Sequence, residues 1–207
     1  MDATNLLRSS GIVPVVVVDD PNAALPLAET LIGAGLATIE ITLRTPHALV
    51  AIENIAKVFP DVCVGAGSVR TATQFAQVKE AGAKFAVCPG SGNSLLDAAT
   101  KHQLPFVPGA VTASEVIRLQ ERGYSLIKFF PAELAGGTAM LKALGAPLPE
   151  ARFFPTGGIS PELASDYLKL PNVMCLGGSW IAPVNLIAAG DFKSISVLAH
   201  NAAKLIA

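Results

Sequence analysis

The chain contains eight short apolar segments, and the gaps between them are each long enough for one helix. These segments, rich in Val, Ile, Ala and Phe, are 12-IVPVVVV-18, 37-ATIEITL-43, 61-DVCVGA-66, 84-KFAV-87, 105-PFVP-108, 125-SLIKFF-130, 152-RFF-154 and 173-VMCL-176. Strands that alternate with single helices pair in parallel through right-handed crossovers. Eight such units predict an α/β fold, a closed (β/α)8 TIM barrel, with an open doubly wound sheet as the alternative.

Signals for helix ends fall between these segments. Asp20, Thr45 and Ser160 each precede a proline, a pattern typical of an N-cap, and 112-TASE-115 reads as a capping box. A glycine just before a strand marks three helix ends, in 32-IGAGLATIE, 80-EAGAKFAV and 121-ERGYSLIKF. We also expect a short helix before residue 12 that closes the barrel floor, and a terminal helix over residues 191–206. No Gly-x-Gly-x-x-Gly pattern opens the first helix, which disfavours a dinucleotide-binding fold.

Length and composition are typical of one globular domain. The 207 residues are 51% hydrophobic and 15% charged, so we expect a single domain over residues 1–207. The formal charge of -1 provides no overall field that would attract nucleic acid or a membrane, so neither is expected as a partner. No apolar run approaches a membrane span, and the first residues lack a secretory signal pattern, which together favour a cytoplasmic protein.

The cysteines and histidines do not have the spacing of metal ligands. Cys63, Cys88 and Cys175 lie in separate apolar segments, so we expect buried structural thiols in a reducing compartment. His47, His102 and His200 fall near a helix start, between a helix and a strand, and in the terminal helix. None of these is well placed as a ligand inside a barrel, so no metal and no other cofactor is expected.

Two expected strands place a charged side chain inside the barrel. In 38-TIEITLR-44, alternation puts Glu40 on one face with Thr38, Thr42 and, at the strand end, Arg44. In the sixth segment, Lys128 shares a face with Leu126 and Phe130. The opposite faces carry only apolar residues suited to the surrounding helices, so Glu40 and Lys128 should both point inward.

A buried lysine beside a buried glutamate suits imine chemistry. Burial disfavours the charged ammonium form, and the neutral amine can attack a ketone to form a Schiff base. The resulting iminium draws electrons from the neighbouring carbon–carbon bond, while Glu40 is available to move protons. The competing interpretation is a Lys128–Glu40 ion pair with no catalytic role.

Paired glycines follow the last two expected strands, in 156-TGGIS-160 and 176-LGGSW-180. In (β/α)8 barrels the loops after strands seven and eight frequently bind phosphate through exposed backbone N–H groups. The pattern therefore favours a phosphate site, although tight turns alone would also explain each pair.

Six blocks resemble the 2-keto-3-deoxy-6-phosphogluconate (KDPG) aldolases, which often also act as 4-hydroxy-2-oxoglutarate aldolases. These blocks are 39-IEITLRT-45, 65-GAGSV-69, 87-VCPG-90, 128-KFFPAE-133, 155-PTGGIS-160 and 177-GGSW-180, and they span nearly the whole chain. The resemblance implies a metal-independent class I aldolase on a (β/α)8 barrel, usually a homotrimer. Such an enzyme cleaves KDPG to pyruvate and glyceraldehyde 3-phosphate, the last step of the Entner-Doudoroff pathway.

The resemblance also implies roles for individual residues. Lys128 resembles the Schiff-base lysine, and Glu40 the general acid/base that works through bound water. Arg44 and Ser68 would hold the carboxylate of the pyruvyl group. At position 68 the family more often has threonine. Pro89 and Phe130 would line the pocket. Thr156 resembles the residue near the sugar-chain hydroxyl and favours the gluconate-derived substrate over its galactonate-derived epimer. The phosphate site would comprise Gly157, Gly158, Gly178 and Ser179.

Three other functions stay open at this point. The first is an aldolase for 4-hydroxy-2-oxoglutarate, with a carboxylate in place of the phosphate. The second is a phosphosugar isomerase or epimerase on the same barrel, in which Glu40 transfers protons and no imine forms. The third is a non-catalytic phosphometabolite-binding protein.

The other polar and aromatic residues have simpler expected roles. Trp180 and Tyr167 should pack, and Arg152 should form a structural ion pair at the bottom of the barrel. Glu133 either orders the loop after the sixth strand or contacts the site. Three arginines, Arg70, Arg118 and Arg122, are interpreted as solvated helix residues.

Overall fold

A computed structural model describes residues 3–206. The eight strands are β1 (Ile12–Val16), β2 (Thr38–Thr42), β3 (Cys63–Gly67), β4 (Phe85–Val87), β5 (Phe106–Val107), β6 (Leu126–Phe129), β7 (Arg152–Pro155) and β8 (Leu176–Gly178). The helices are α1 (Thr4–Leu7), α2 (Ala24–Gly33), α3 (Ala48–Val58), α4 (Ala72–Glu80), α5 (Asn93–His102), α6 (Ala113–Glu121), α7 (Gly137–Gly145), α8 (Pro161–Leu168), α9 (Val184–Ala188) and α10 (Phe192–Ala203). None of the described helices combines the length and apolarity that a membrane crossing requires.

The strands form a closed parallel ring. Six of them pair in the order β5-β4-β3-β2-β1-β8, and β6 pairs with β7. A parallel bridge between Gly109 and Lys128 joins the end of β5 to β6, and a second bridge between Thr156 and Gly177 joins β7 to β8. The first junction contains the hydrogen bond from Lys128 N to Pro108 O at 2.8 Å. The predicted (β/α)8 barrel is confirmed, and the open sheet is not formed.

The barrel separates two apolar layers. Side chains such as Ile39, Ile41, Ile127 and Phe129 point outward into the layer between strands and helices. A smaller cluster fills the lower barrel interior; it consists of Ala3, Leu7, Val13, Phe85, Val87, Val107, Leu126, Phe154 and Cys175. Because Leu7 of α1 is fully buried in this inner cluster, the short N-terminal helix closes the barrel floor as predicted.

Most of the predicted helix ends are found in the structure. Thr112 forms the predicted capping box with Glu115 at the start of α6. Gly35, Gly82 and Gly123, the glycines expected after three helices, all have positive φ angles. Asp20 caps Pro21–Ala23, but this segment is a 3₁₀ turn that leads into α2.

Two of the predicted N-caps behave differently. Thr45 is not an N-cap, because α3 begins at Ala48 and the Thr45 hydroxyl donates instead to the carbonyl of Val18. Ser160 does precede α8, but its hydroxyl bonds to the carboxylate of Glu162 and not to a helix N–H. In both cases a nearby acceptor competes for the hydroxyl that would otherwise cap the helix.

The eighth strand is shifted from its predicted position. The apolar segment 173–176 predicts a strand, whereas β8 covers Leu176–Gly178 and Val173 makes only an isolated bridge to Phe153. The strand contains two glycines, Gly177 and Gly178, and its backbone closely approaches neighbouring side chains. A Cβ on Gly177 would lie 2.3 Å from Thr156 Oγ1. The helix α9 was not predicted, whereas α10 was.

Candidate active site

The catalytic candidates Lys128 and Glu40 meet inside the barrel. Lys128 Nζ lies 3.0 Å from Glu40 Oε2, and the two residues are only 4% and 3% exposed. They come from β6 and β2, which are not neighbours in the ring, so only closure of the barrel brings them together. Their inward direction follows from the alternation of each strand, as predicted.

The surroundings of this pair leave little freedom for either side chain. The Lys128 ammonium lies 4.3 Å from the centre of the Phe154 ring, a cation–π contact. Gly67 provides the space for Glu40, because a Cβ at this position would lie 2.2 Å from Glu40 Oε1. Cys175 lies nearby and remains a neutral thiol, since burial raises its pKa to about 12.

A cavity of about 410 Å³ opens above the pair at the carboxyl ends of the strands. It is lined by Val15, Glu40, Leu43, Arg44, Ser68, Arg70, Val87, Cys88, Pro89, Lys128, Phe130 and Thr156. All seven residues predicted as catalytic or as contacts of the keto-acid and sugar chain are therefore in one cavity. The four residues predicted to bind phosphate are not among those that line it.

The loop after β3 has an unusual backbone at Ser68. Its φ angle is 58°, in the left-handed region, which a β-branched residue such as threonine adopts less readily than serine. The next residue, Val69, is fully buried and donates its N–H to Val87 O at 3.0 Å. The serine hydroxyl is thus carried on a fixed turn at the wall of the cavity.

Arg70 was placed wrongly from the sequence. It is exposed as expected, but it is not a helix residue, because it lies in the loop before α4 and lines the cavity. The sequence signal was available in principle, because the capping box of Thr71 and Gln74 starts the helix one residue later.

Thr156 and the glycines after β7 form one continuous wall. Thr156 is 6% exposed, and its Oγ1 has no hydrogen-bond partner among the described residues. Gly157 and Gly158 both have left-handed φ angles, 103° and 80°. A Cβ on Gly157 would lie 2.9 Å from Phe130 Cε2, so this glycine packs directly against the aromatic residue of the cavity wall.

The glycines after β8 lie beside this wall. Gly178 is the last residue of β8 and is buried, while Ser179 follows it and is exposed. The bridge between Thr156 and Gly177 holds the two glycine-containing segments side by side. The four phosphate-site candidates therefore lie at the edge of the barrel, next to the cavity and not within its lining.

Glu133 orders the loop after β6. Its carboxylate accepts a hydrogen bond from the hydroxyl of Tyr167, and its N–H donates to Gly157 O at 3.1 Å. Tyr167 is fully buried, as expected of a packing residue; burial and the bond to Glu133 raise the pKa of its phenol. Of the two alternatives for Glu133, the structure favours loop ordering, because this residue does not line the cavity.

Other polar residues lie away from the cavity. Arg152 donates to Pro149 O at 2.7 Å and Ala151 O at 3.0 Å, so the predicted ion pair is wrong within residues 3–206. Arg118 is an exposed residue of α6, as predicted, and Arg122 at the end of that helix pairs with Asp97.

The three cysteines are free thiols. Cys88 and Cys175 are buried as predicted, whereas Cys63 is only half-buried. Within the described part of the chain, no three His, Cys, Asp or Glu side chains come close enough together to hold a metal ion.

Comparison with known proteins identifies relatives along nearly the full chain. Residues 3–198 match the aldolase family described as KDPG and KHG aldolase. A 2-dehydro-3-deoxy-phosphogluconate aldolase of Pseudoalteromonas atlantica is 48% identical over 202 residues, which cover 98% of this chain and 94% of that protein. The KHG/KDPG aldolase of Escherichia coli is 45% identical over 200 residues, 97% of this chain and 94% of that protein.

A solved structure has the same fold. The KDPG aldolase of Legionella pneumophila, with pyruvate captured at low pH as a covalent carbinolamine intermediate, superposes with a TM-score of 0.93. The two proteins are 42% identical, and the alignment covers 97% of each chain. From the extent of these matches and the geometry of the cavity, the chain belongs to the KDPG and KHG aldolase family.

Proposed function

We propose that the protein is a class I aldolase that cleaves KDPG to pyruvate and glyceraldehyde 3-phosphate through a Schiff base on Lys128. The observation that carries this proposal is the buried contact of 3.0 Å between Lys128 Nζ and Glu40 Oε2 below the cavity. A lysine in this position can supply the nucleophile, and the carboxylate can accept and return protons. Such a reaction is the last step of the Entner-Doudoroff pathway.

The pair explains how the nucleophile is formed. Before substrate arrives, the Glu40 carboxylate compensates the buried charge of the Lys128 ammonium. Transfer of one proton along this hydrogen bond gives a neutral amine next to a neutral carboxylic acid. Nζ then attacks the C2 ketone of the substrate to form a carbinolamine. Glu40 gives its proton to the departing hydroxyl group, so that loss of water leaves the iminium and restores the Glu40 carboxylate.

Carbon–carbon cleavage follows from the iminium. Glu40, acting through a bound water, removes the proton of the C4 hydroxyl, and the electrons of the C3–C4 bond move into the iminium. Glyceraldehyde 3-phosphate leaves as the aldehyde, and the enamine of pyruvate remains on Lys128. Glu40 returns the proton to C3, and hydrolysis of the new iminium releases pyruvate and restores the amine.

The cavity wall supplies contacts for the keto-acid end and the carbon chain of the substrate. In this proposal Arg44 and Ser68 bind the carboxylate of the keto acid, and Pro89 and Phe130 pack against its carbon chain. The unpaired hydroxyl of Thr156 binds a substrate hydroxyl, which would satisfy its buried oxygen. Fixing the substrate in this way makes attack by Lys128 effectively intramolecular.

The phosphate is assigned to Gly157, Gly158, Gly178 and Ser179, at the cavity edge beyond Thr156. Support comes from their position after β7 and β8, where (β/α)8 barrels frequently bind phosphate. We expect inorganic phosphate to inhibit KDPG cleavage competitively. Inhibition without any effect on the KM for KDPG would argue against this site.

We also propose cleavage of 4-hydroxy-2-oxoglutarate to pyruvate and glyoxylate. This substrate has the same keto-acid end as KDPG and would use Lys128, Glu40, Arg44 and Ser68 in the same way. It has a carboxylate in place of the phosphate, so Lys128→Met should abolish pyruvate release from this second substrate as well.

The aldolase proposal is tested by an assay that couples pyruvate release to lactate dehydrogenase. The wild-type protein should release pyruvate from KDPG, and Lys128→Met should abolish this release because the nucleophile is lost. Lys142→Met, at an exposed lysine of α7, is the matched control and should keep full activity. Pyruvate release by Lys128→Met, or interconversion of a phosphosugar by the wild type without pyruvate, would contradict the proposal.

The proposal also covers the assembly, the domain organisation and the cellular location of the protein. We infer a homotrimer, as in the family, and a light-scattering mass of three chains would support it. We further infer that residues 1–207 fold as one domain. The three free thiols are consistent with a reducing compartment and thus with the cytoplasm, which cell fractionation would test.

A further inference from the structure

The loop after β3 places an arginine, Arg70, at the wall of the catalytic cavity. Its backbone is held at two points: Arg70 N donates to Gln74 Oε1 at 2.7 Å, and the preceding residue, Val69, is buried. Gln74 is itself fixed by the capping box at the start of α4. The base of the Arg70 side chain is therefore fixed, while the residue itself is exposed at the cavity mouth.

The charges that line the cavity are not balanced. Four side chains carry charge there: Glu40, Arg44, Arg70 and Lys128. Glu40 and Lys128 pair with each other, and within residues 3–206 neither arginine has a carboxylate at ion-pair distance. Two unpaired guanidinium groups thus face one cavity, and a guanidinium is well suited to bind a carboxylate with two hydrogen bonds.

The order of the strands shows which end of the substrate Arg70 can reach. Arg44 follows β2 and Arg70 follows β3, and these strands are neighbours in the ring, with Leu43 N donating to Gly67 O at 2.8 Å. In a ring of eight strands, β3 lies opposite β7, which is followed by Gly157 and Gly158, two of the residues assigned to the phosphate. Arg70 is therefore on the side of Arg44 and Ser68.

We propose that Arg70 is a second binding residue for the carboxylate of the keto-acid end, acting beside Arg44. This inference rests on the proposed aldolase function, because it assigns the residue to the keto acid that Lys128 attacks. Pyruvate, KDPG and 4-hydroxy-2-oxoglutarate share this end, so the contribution of Arg70 should be similar for all three. Exposure of the guanidinium keeps the effect moderate and sensitive to salt.

The test is the dependence of borohydride inactivation on pyruvate concentration, together with the KM values for condensation. Arg70→Ala should raise the half-saturating pyruvate concentration and the KM for pyruvate by about 3- to 10-fold, as for a partly exposed charge-assisted contact. The KM for glyceraldehyde 3-phosphate should not change. Arg70→Lys keeps the charge but loses the planar fork, so its effect should be smaller.

A matched control and the salt dependence make the result specific. Arg118→Ala removes another exposed arginine, from α6 and outside the cavity, and should leave both KM values unchanged. The difference between Arg70→Ala and the wild type should shrink as salt is raised to about 1 M, where the screening length falls to a few ångströms.

The outcomes separate this inference from the function on which it rests. If pyruvate and borohydride do not inactivate the wild-type protein, the aldolase proposal fails and the assignment of Arg70 fails with it. If the wild type is inactivated but Arg70→Ala shows the same pyruvate dependence, only the assignment of Arg70 is overturned. A selective rise in the KM for glyceraldehyde 3-phosphate would also overturn it, because Arg70 would then serve the phosphate end.

Discussion

At the scale of single residues, Lys128 and Glu40 depend on each other for stability as well as for chemistry. Both are almost completely buried, and the hydrogen bond between them compensates two charges that would otherwise be costly inside the barrel. A change of one partner should therefore cost more than a change of both.

The first prediction concerns this coupling. Lys128→Met should lower the free energy of unfolding by about 3–5 kcal/mol, because it leaves the Glu40 carboxylate buried without a partner. The double variant Lys128→Met/Glu40→Gln should recover a large part of this loss. Urea denaturation of the four proteins of this cycle measures the coupling. Strictly additive losses would show that the two charges do not stabilise each other.

The second prediction concerns the buried hydroxyl of Thr156. It has no hydrogen-bond partner among the described residues, and an unsatisfied buried hydroxyl costs about 1–3 kcal/mol. Thr156→Val should therefore raise the melting temperature while it lowers kcat/KM for KDPG, since the hydroxyl is assigned to the substrate. A lower melting temperature would mean that the hydroxyl already has a partner in the folded protein.

Sequence reasoning located residues on strands better than residues on loops. Lys128 and Glu40 were found because side chains alternate along a strand, and a charge on the inward face stands out against its neighbours. Arg70 was missed because a loop has no comparable period, and its route depends on contacts such as the one from Arg70 N to Gln74. The left-handed backbone at Ser68 was likewise not predictable, because serine does not signal it.

At the scale of elements, the helix starts differ in how their first N–H groups are satisfied. The capping box of α6 uses both Thr112 and Glu115, whereas Ser160 of α8 makes no side-chain cap bond. The sequence gives both positions similar N-cap signals, but Glu162 competes for the Ser160 hydroxyl. The two helices therefore provide a matched comparison.

The third prediction follows from this difference. Thr112→Ala should destabilise the protein by about 1 kcal/mol, the usual cost of losing an N-cap hydrogen bond. Ser160→Ala should cost only a few tenths of a kcal/mol, because no cap bond is lost. Thermal or urea unfolding of both variants measures the contrast, and equal losses would contradict it.

The strand boundaries show where local sequence patterns are insufficient. Seven strands overlap their predicted segments closely, because β-branched and apolar residues suit a buried parallel strand. β8 is displaced from its predicted segment because Gly177 packs against Thr156, which follows β7. This contact forms only when the barrel closes, so the local sequence does not show it. A glycine pair looks like a loop unless that neighbour is known.

At the scale of the whole molecule, barrel closure is what creates the active site. Lys128 of β6 is hydrogen-bonded through its backbone to the end of β5 and through its side chain to Glu40 of β2. The site and the ring therefore form together, and a partly open barrel would not bring the two charges into contact.

The fourth prediction is that the protein unfolds in one cooperative transition, as expected of one domain. The only tryptophan, Trp180, follows β8 and packs against the core, so its fluorescence reports on ring closure. Fluorescence and far-ultraviolet circular dichroism should give the same midpoint in urea. Separate midpoints would indicate that part of the barrel unfolds independently.

The most direct test of the central claim is to incubate the protein with pyruvate and sodium borohydride and analyse the intact chain and its peptides by mass spectrometry. The proposed mechanism predicts a reduced pyruvyl adduct on the peptide that contains Lys128, and no adduct in Lys128→Met. A folded wild-type protein that forms no adduct, or that forms it on a different lysine, would contradict the assignment of Lys128 as the Schiff-base residue.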